Sequence, residues 1–326
     1  MDNLDKIQFK TLAIETLLDN STSDFDLYIE INGKLVLYSG TPYKWARDEL
    51  NRLLAAGHRQ LFYSNADQSK VEIYRQLASI PKVDMNLPPI RRVTMITDAA
   101  AELTRVLYGH PLTESSLAKG KDIARDLVTT IKEDRACVKA LGKLATHDMY
   151  TYYHSARVAA YALAIALNMS AQDEEHLESI AIGCLFHDIG KSKINLDILN
   201  KQGPLTNDEW SLMRRHPEFG HDAVKKTQLN QIPMEIILHH HERLDGGGYP
   251  HNLGPVDLLP EVRIAAFADI FDALTTNRPY QISRTRFEAL DLIRNKMLNH
   301  LDKDVYKAMV DILSKVDTPG IEKKDT

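Results

Sequence analysis

Cysteine is nearly missing from this chain. Cys137 and Cys184 are the only two, too few for a disulfide framework, so a reduced, cytoplasmic protein is expected. No stretch reaches the roughly 18 consecutive apolar residues that a membrane span needs. The opening MDNLDKIQFK lacks the basic-then-apolar order of a secretory leader, and no membrane contact is expected. An excess of one charge is missing too. Forty basic side chains against forty-five acidic ones leave −5, which argues against a partner that is a nucleic-acid polymer or an anionic lipid surface. A small phosphate-bearing ligand stays open, because it needs only a local cluster of positive charge.

What remains is ordinary, with one exception. Hydrophobic residues at 44% and charged residues at 26% of 326 describe a globular chain of about two domains. The exception is histidine, present thirteen times, with only His58 and His110 before residue 147. The chemistry is therefore expected in the second half.

Residues 24–40 hold two β-rich runs around Asn32-Gly33, a turn pair that favours a hairpin because both positions need positive φ. A helix is expected over 43–56 with Gly57 as its stop, then a strand at 61–64 and a helix over 71–80. Residues 1–85 thus read as a small α+β domain, without a cluster of titratable groups. The prolines within 81–90 suit a boundary. Residues 86–139 read as a linker and helical connector and 140–326 as an all-α bundle, with a frayed tail at 321–326. Helices are expected near 93–108, 113–133, 148–168, 171–189, 206–216, 232–241, 260–275 and 285–299.

Helical spacing separates inward histidines from solvated ones. His154, Val158, Ala162 and Ile165 share one face. Ser170 is expected to cap the next helix, where Leu177, Ile180, Ala181 and Cys184 mark the core stripe that His187 and Asp188 continue. Thr206 and Glu209 form a capping box, and the stripe of Leu212 and Met213 carries His216 inward. His240 follows Ile236 by four and His241 follows Ile237, whereas His239 follows Glu235 and is expected to face water. Val262, Ala265 and Ala266 lead to Asp269, with Asp272 on the same side.

A single inward histidine is commonly a hydrogen-bonded core side chain, and Lys191 alone could pair with Asp188. Buried aspartates need compensating charge. Five histidines with Asp188 and Asp269 converging inward fit those bland readings poorly. Imidazole and carboxylate suit Fe, Mn or Zn, and seven ligands exceed what one tetrahedral ion takes. Two metals sharing a bridging carboxylate would use them all.

The segment His187-Asp188-Ile189-Gly190-Lys191 resembles the HD metal-dependent phosphohydrolase superfamily. His240-His241-Glu242-Arg243-Leu244-Asp245-Gly246-Gly247-Gly248-Tyr249-Pro250 narrows the resemblance to its HD-GYP subfamily. The likeness runs over about 140–318, through Tyr150-Thr151, His154-Ser155, Arg157-Val158, Lys201, Leu205-Thr206, His216-Pro217 and Gly220. It continues in the run from Ala268 to Thr275 and in Arg278-Pro279-Tyr280.

That resemblance implies an all-helical HD-GYP bundle preceded by the small α+β domain. It also implies a bacterial phosphodiesterase that cuts cyclic di-GMP by attack of a hydroxide bridging iron or manganese. By motif, His154, His187, Asp188 and Asp269 would hold one ion, and His216, His240 and His241, with Asp188 bridging, the second. Asp188, Lys191 and Asp269 would do the catalytic work. Lys191, Gly248, Tyr249 and Arg278 would bind substrate. Asp272 or a metal-bound water could protonate the leaving group. Some members of the family hold a third metal through a glutamate one turn before the first histidine. Tyr150 stands there, so two metals, and linear pGpG rather than GMP, are expected. Gln281 replaces a lysine often found after Arg-Pro-Tyr, so one phosphate contact is expected to be missing. The competing readings are an idle cyclic-dinucleotide receptor, using the GYP loop for the nucleotide or for a diguanylate cyclase, and a hydrolase of another phosphate ester. The intact ligand set favours the enzyme. The N-terminal domain could sense, dimerise or adapt, and a homodimer is left open.

Overall fold

Asn32 and Gly33 take φ of 52° and 75°, the two left-handed positions that a tight hairpin with right-twisted strands requires. They join β3 (Leu27–Ile31) to β4 (Lys34–Ser39). With β1 (Phe9–Ala13) and β6 (Gln60–Ser64) these make an antiparallel sheet of order β1-β6-β3-β4, and β2 (Thr22–Ser23) pairs with β5 (Tyr43–Lys44). The computed structural model describes residues 8–135, 137–138, 141, 150–170, 173–201, 203–276 and 283–316. The tail expected to fray, residues 321–326, lies outside them.

Contacts divide the chain into two compact units. The first takes in Met1–Lys82 and Gly109–Asp122, the second Val83–Tyr108 and Ile123–Thr326. The residues 86–139 read as a connector are divided between them. In the first unit, α1 (Arg47–Ala55) and α2 (Gln68–Ser79) lend Leu50, Leu53, Val71 and Tyr74 to a core with Leu12, Phe25, Leu27, Trp45 and Leu61. The expected helix over 43–56 begins only at Arg47. Trp45 is fully buried, donates Nε1–H to Ser23 Oγ at 3.1 Å and its backbone N–H to Ser21 O at 2.9 Å, which holds Tyr43–Trp45 extended.

In the second unit the described residues form helices and turns. It holds helix α3 (Pro89–Gly109) up to Tyr108 and helix α4 (Glu114–Glu133) from Ile123 onward. Helix α5 (Tyr150–Asn168) is buried on every side from Val158 to Leu167, as a helix apolar all round must be, and packs on α6 (Glu174–Phe186), α11 (Pro260–Thr275) and α13 (Lys303–Val316). Helix α6 starts later than the sequence led us to expect. Asp173 accepts from His176 N at 2.7 Å and caps it, while Ser170, at φ 79°, is left-handed and does not. It also ends at Phe186, followed by a tight 3₁₀ turn over Ile189–Lys193.

After the short α7 (Leu196–Leu199), the helix expected over 206–216 is two elements. Thr206 and Glu209 form the capping box of α8 (Asn207–Met213). A second helix, α9 (His216–Val224), begins with Pro217 in its first turn, where a missing N–H costs nothing. Helix α10 (Gln231–His239) lies against α6, α9 and α11, and α12 is Arg286–Lys296. Gly190 sets the approach of the 3₁₀ turn to α9. A Cβ there would sit 1.9 Å from the His216 carbonyl oxygen and 2.4 Å from Gly220 N, so only glycine lets the His187-Asp188 turn reach His216.

Candidate metal centre

Helix ends and buried stripes bring the seven expected ligands together. Donor atoms of Asp188, His216, His240 and His241 form one group, and those of His154, His187 and Asp269 another, each within 4.8 Å. His154 comes from α5 and Asp269 from α11. His187 and Asp188 follow α6, His216 opens α9, and His240 and His241 follow α10. All are buried except His241, whose side chain keeps 27% of its exposure.

The outer ring nitrogens fix the proton positions. His187 Nδ1 lies 2.7 Å from Cys184 O, His216 Nδ1 2.8 Å from Met213 O, and His240 Nδ1 3.0 Å from Ile237 O. A carbonyl oxygen only accepts, so these three Nδ1 atoms donate, and in its neutral form each ring then turns a bare Nε2 inward. His187 Nε2 is buried without a hydrogen-bond partner, as is Asp188 Oδ1. His216 and His240 face each other Nε2 to Nε2 at 3.2 Å. Two lone pairs at that separation repel unless a cation lies against both. This is the pattern expected of imidazoles whose second nitrogen is fixed by an outer partner and whose first is reserved for a metal.

Asp188 stands between the two groups. Its Oδ1 is 3.2 Å from His216 Nε2 and 3.9 Å from His240 Nε2. Its Oδ2 is 3.4 Å from His187 Nε2, 3.9 Å from His154 Nε2 and 2.5 Å from Lys191 Nζ. Burial pushes the Asp188 carboxyl up, but Lys191, His187 and His216 together hold it well below the usual carboxylate range. Asp269 is likewise held down by His154 and His241 against the effect of burial. Its Oδ1 lies 3.0 Å from His154 Nε2, and its Oδ2 3.8 Å from His241 Nδ1. Burial pulls the His187, His240 and His241 rings below the ordinary histidine value, His241 to about 3. Their neutral, ligating form is favoured.

His154 differs. Its Nδ1 meets Asp272 Oδ2 at 2.7 Å, so both ring nitrogens face carboxylates. Burial pulls its pKa down, yet Asp269 and Asp272 outweigh it and raise it. Asp272, expected as a candidate proton donor, is fully buried and takes Arg157 Nε at 2.6 Å and Nη2 at 3.1 Å. Burial raises its carboxyl, but Arg157 and His154 hold it low and ionised, which suits it to orient His154 rather than to give up a proton.

The glycine-rich loop closes one side of the cluster. Gly246 alone of the three loop glycines is left-handed, at φ 73°. Gly248 is needed for space: a Cβ there would meet Glu242 Cα at 2.4 Å. Glu242, buried to 3%, accepts from His251 N at 2.6 Å and Leu253 N at 3.0 Å and ties the loop down. The Tyr249 ring lies 4.8 Å from the His241 ring, with Arg214 Cζ 4.7 Å from its centroid. Arg278, Gln281 and the side chain of Tyr150 lie outside the described residues.

His239 corrects the expectation that it faces water. It is 7% exposed, pairs through Nδ1 with Glu235 at 2.8 Å, and is covered by His251 at 2.9 Å from Nε2. The helix pattern named its neighbour Glu235 but held no sign of a loop histidine folding over His239. Arg157, Glu242 and Arg214 were not picked out by periodicity either. Arg157 could have been, since it follows His154 by three as Asp272 follows Asp269.

The chain is similar to several proteins of known name. A cyclic di-GMP phosphodiesterase of Pseudomonas aeruginosa, PA4108, is 34% identical over 194 residues, which is 59% of this chain and 46% of the relative. The cyclic di-GMP phosphodiesterase response regulator RpfG of Xanthomonas campestris is 42% identical over 119 residues, 36% of this chain and 32% of that protein. The chain thus spans less than half the length of either relative. The solved structure of Bd1817, an HDG"Y"P protein from Bdellovibrio bacteriovorus, matches with a TM-score of 0.59 at 20% identity, covering 94% of this chain and 100% of that one. At that identity the likeness concerns the fold. The sequence pattern of the HD domain matches residues 142–305, a span that holds every histidine and aspartate of the cluster, and by that match the chain belongs to the HD domain family.

Proposed function

We propose that this chain is a metal-dependent phosphodiesterase that hydrolyses cyclic di-GMP to linear pGpG. One observation carries the reading. Three imidazoles give their Nδ1–H to backbone carbonyls and turn bare Nε2 atoms toward the Asp188 carboxylate, whose two oxygens face different histidine groups. Such a set fits two divalent cations bridged by one carboxylate, with iron or manganese favoured by the mixed nitrogen and oxygen donors. His154, His187 and Asp269 would hold one, and His216, His240 and His241 the other. The names of the relatives support the substrate, and Tyr150 in place of a further carboxylate ligand supports two ions and a linear product.

Bound cations would supply an activated water and neutralise the phosphoryl oxygens. The chain's own residues do the rest. Asp188 serves both groups, and Asp269, between His154 and His241, orients the attacking water. Lys191, held at Asp188 and still 24% exposed, meets a phosphate oxygen as a point charge. Gly248 lets the backbone come close to the nucleotide, Tyr249 lies along it, and Arg278 takes a phosphate as the motif implies. We place the enzyme in the cytoplasm, with a diguanylate cyclase as a partner of the GYP loop and a homodimer as its assembly. Residues 1–85 form a regulatory domain in this reading.

The test is metal analysis of anaerobically purified protein, with chromatography of cyclic di-GMP incubated with Fe²⁺ or Mn²⁺. Two equivalents of metal and accumulation of pGpG are expected. A loaded protein that binds the nucleotide and leaves it whole is a receptor, and turnover of a different cyclic dinucleotide alone replaces the substrate.

A further inference from the structure

Most cations around the cluster are already matched. Lys191 meets Asp188 at 2.5 Å, Arg243 meets Asp245, Lys201 meets Glu209 and Arg215 reaches Glu218. Arg214 is not. It directly follows α8, two residues before His216, and is exposed. Among the described residues no carboxylate meets it, and its side chain is seated on the face of Tyr249, Cζ 4.7 Å from the ring centroid. Tyr249 in turn leans on His241 at 4.8 Å with the planes 31° apart. The cation is therefore one ring removed from a candidate metal ligand.

A cation–π contact uses the flat face of a guanidinium. It leaves the edge N–H donors, which make the two-pronged grip on phosphate, pointing away from the ring and available. The seat also restrains the side chain before any ligand arrives, so less side-chain entropy is lost on binding. A cyclic dinucleotide brings two phosphates in one ring. With the scissile one at the metals, the other is a second anion that must find a positive group nearby. Lys191, beside Asp188 in the cluster, serves the scissile phosphate, and the other phosphate offers more acceptor lone pairs than the Arg278 fork alone can fill.

Resting on the phosphodiesterase reading, we propose that Arg214 is a substrate-binding residue that grips the uncleaved phosphate of the cyclic dinucleotide from its seat on Tyr249. Steady-state kinetics of wild type, Arg214→Ala and Arg214→Lys test it on two substrates: cyclic di-GMP, and bis(p-nitrophenyl) phosphate, which has a single phosphate. For Arg214→Ala, the ratio of kcat/KM for cyclic di-GMP to that for the aryl diester is expected to fall by about 10- to 100-fold, mainly through KM. Arg214→Lys, which keeps the charge and loses the stacked fork, is expected to recover only part of it. A wild-type ratio in Arg214→Ala overturns the assignment, as does an equal loss on both substrates, which would place the effect at the metals. Wild type that cleaves the aryl diester and no cyclic dinucleotide sinks the proposed function and this contact together. The first two outcomes leave the proposed function standing.

Discussion

The candidate centre holds the same side chain in two opposite ways. In one, His154 has carboxylates at both nitrogens, Asp272 at 2.7 Å and Asp269 at 3.0 Å, and its affinity for a proton is raised. In the other way, His216 and His240, and His187 beside His154 itself, lean on backbone carbonyls, and burial with neighbouring rings drives His240 well below its ordinary value. A carboxylate partner makes an imidazole more basic and a stronger donor to metal, while a carbonyl partner sets the tautomer and little else. Asp188, with one oxygen toward each half, is where the two arrangements meet.

The largest effect is expected from removing that shared group. Asp188→Ala should cost both ions and at least about 100-fold in hydrolysis, more than the loss of any outer partner. Metal content by elemental analysis, alongside turnover, checks it; loss of a single equivalent would mean the halves do not share a carboxylate. Asp272→Asn probes one half only. It leaves His154 with a weaker acceptor at Nδ1 and a buried Arg157 without its ion pair, and should weaken metal binding at the His154 side by about 10- to 100-fold. Titration with Mn²⁺ should show one site weakened and one retained. Equal weakening of both sites would dissolve the distinction between the halves. Since unpairing Arg157 also destabilises the fold, a thermal melt of the metal-free variant separates the two effects.

Much of this contrast was legible in the residues, for reasons that can be named. The Asn32-Gly33 hairpin and the Thr206–Glu209 capping box are local, and local chemistry suffices to form them. The inward ligands were legible because each continues an apolar stripe, and an all-round buried helix such as α5 leaves His154 nowhere else to point. The cover over His239 was not legible, because it comes from His251 on a distant loop. The break between α8 and α9 was hidden because His216 keeps the stripe of the preceding helix while starting a new one at Pro217. The Asp272–Arg157 pair shows the limit of counting faces. Periodicity put Asp272 on the inner side, but only the packing of α5 against α11 tells that it serves His154.

Acid should divide the carboxylate-held ring from the depressed ones by a smaller amount and with a definite sign. In metal-free protein, His187, His240 and His241 have pKa values below the 6.5 of an unfolded chain. Their contribution to stability is full above 6.5 and is lost as pH falls through that value toward their folded ones. His154, raised above 6.5, runs the other way: its contribution is full below 6.5 and is lost as pH rises through its folded value. Asp188 and Asp269, lowered from 3.8, titrate beneath the interval and do not enter. Three rings of the cluster, joined by buried His239, whose pKa is lowered too, oppose one, so chelator-treated protein should melt at a lower temperature at pH 5.5 than at pH 7.5. His241, held down to about 3, by itself accounts for roughly 1 kcal/mol over that interval. Asp272→Asn should steepen the fall, because it removes a partner that favours protonated His154. A melting temperature that stays level or rises on acidification would mean that the carboxylate-held ring outweighs the depressed ones.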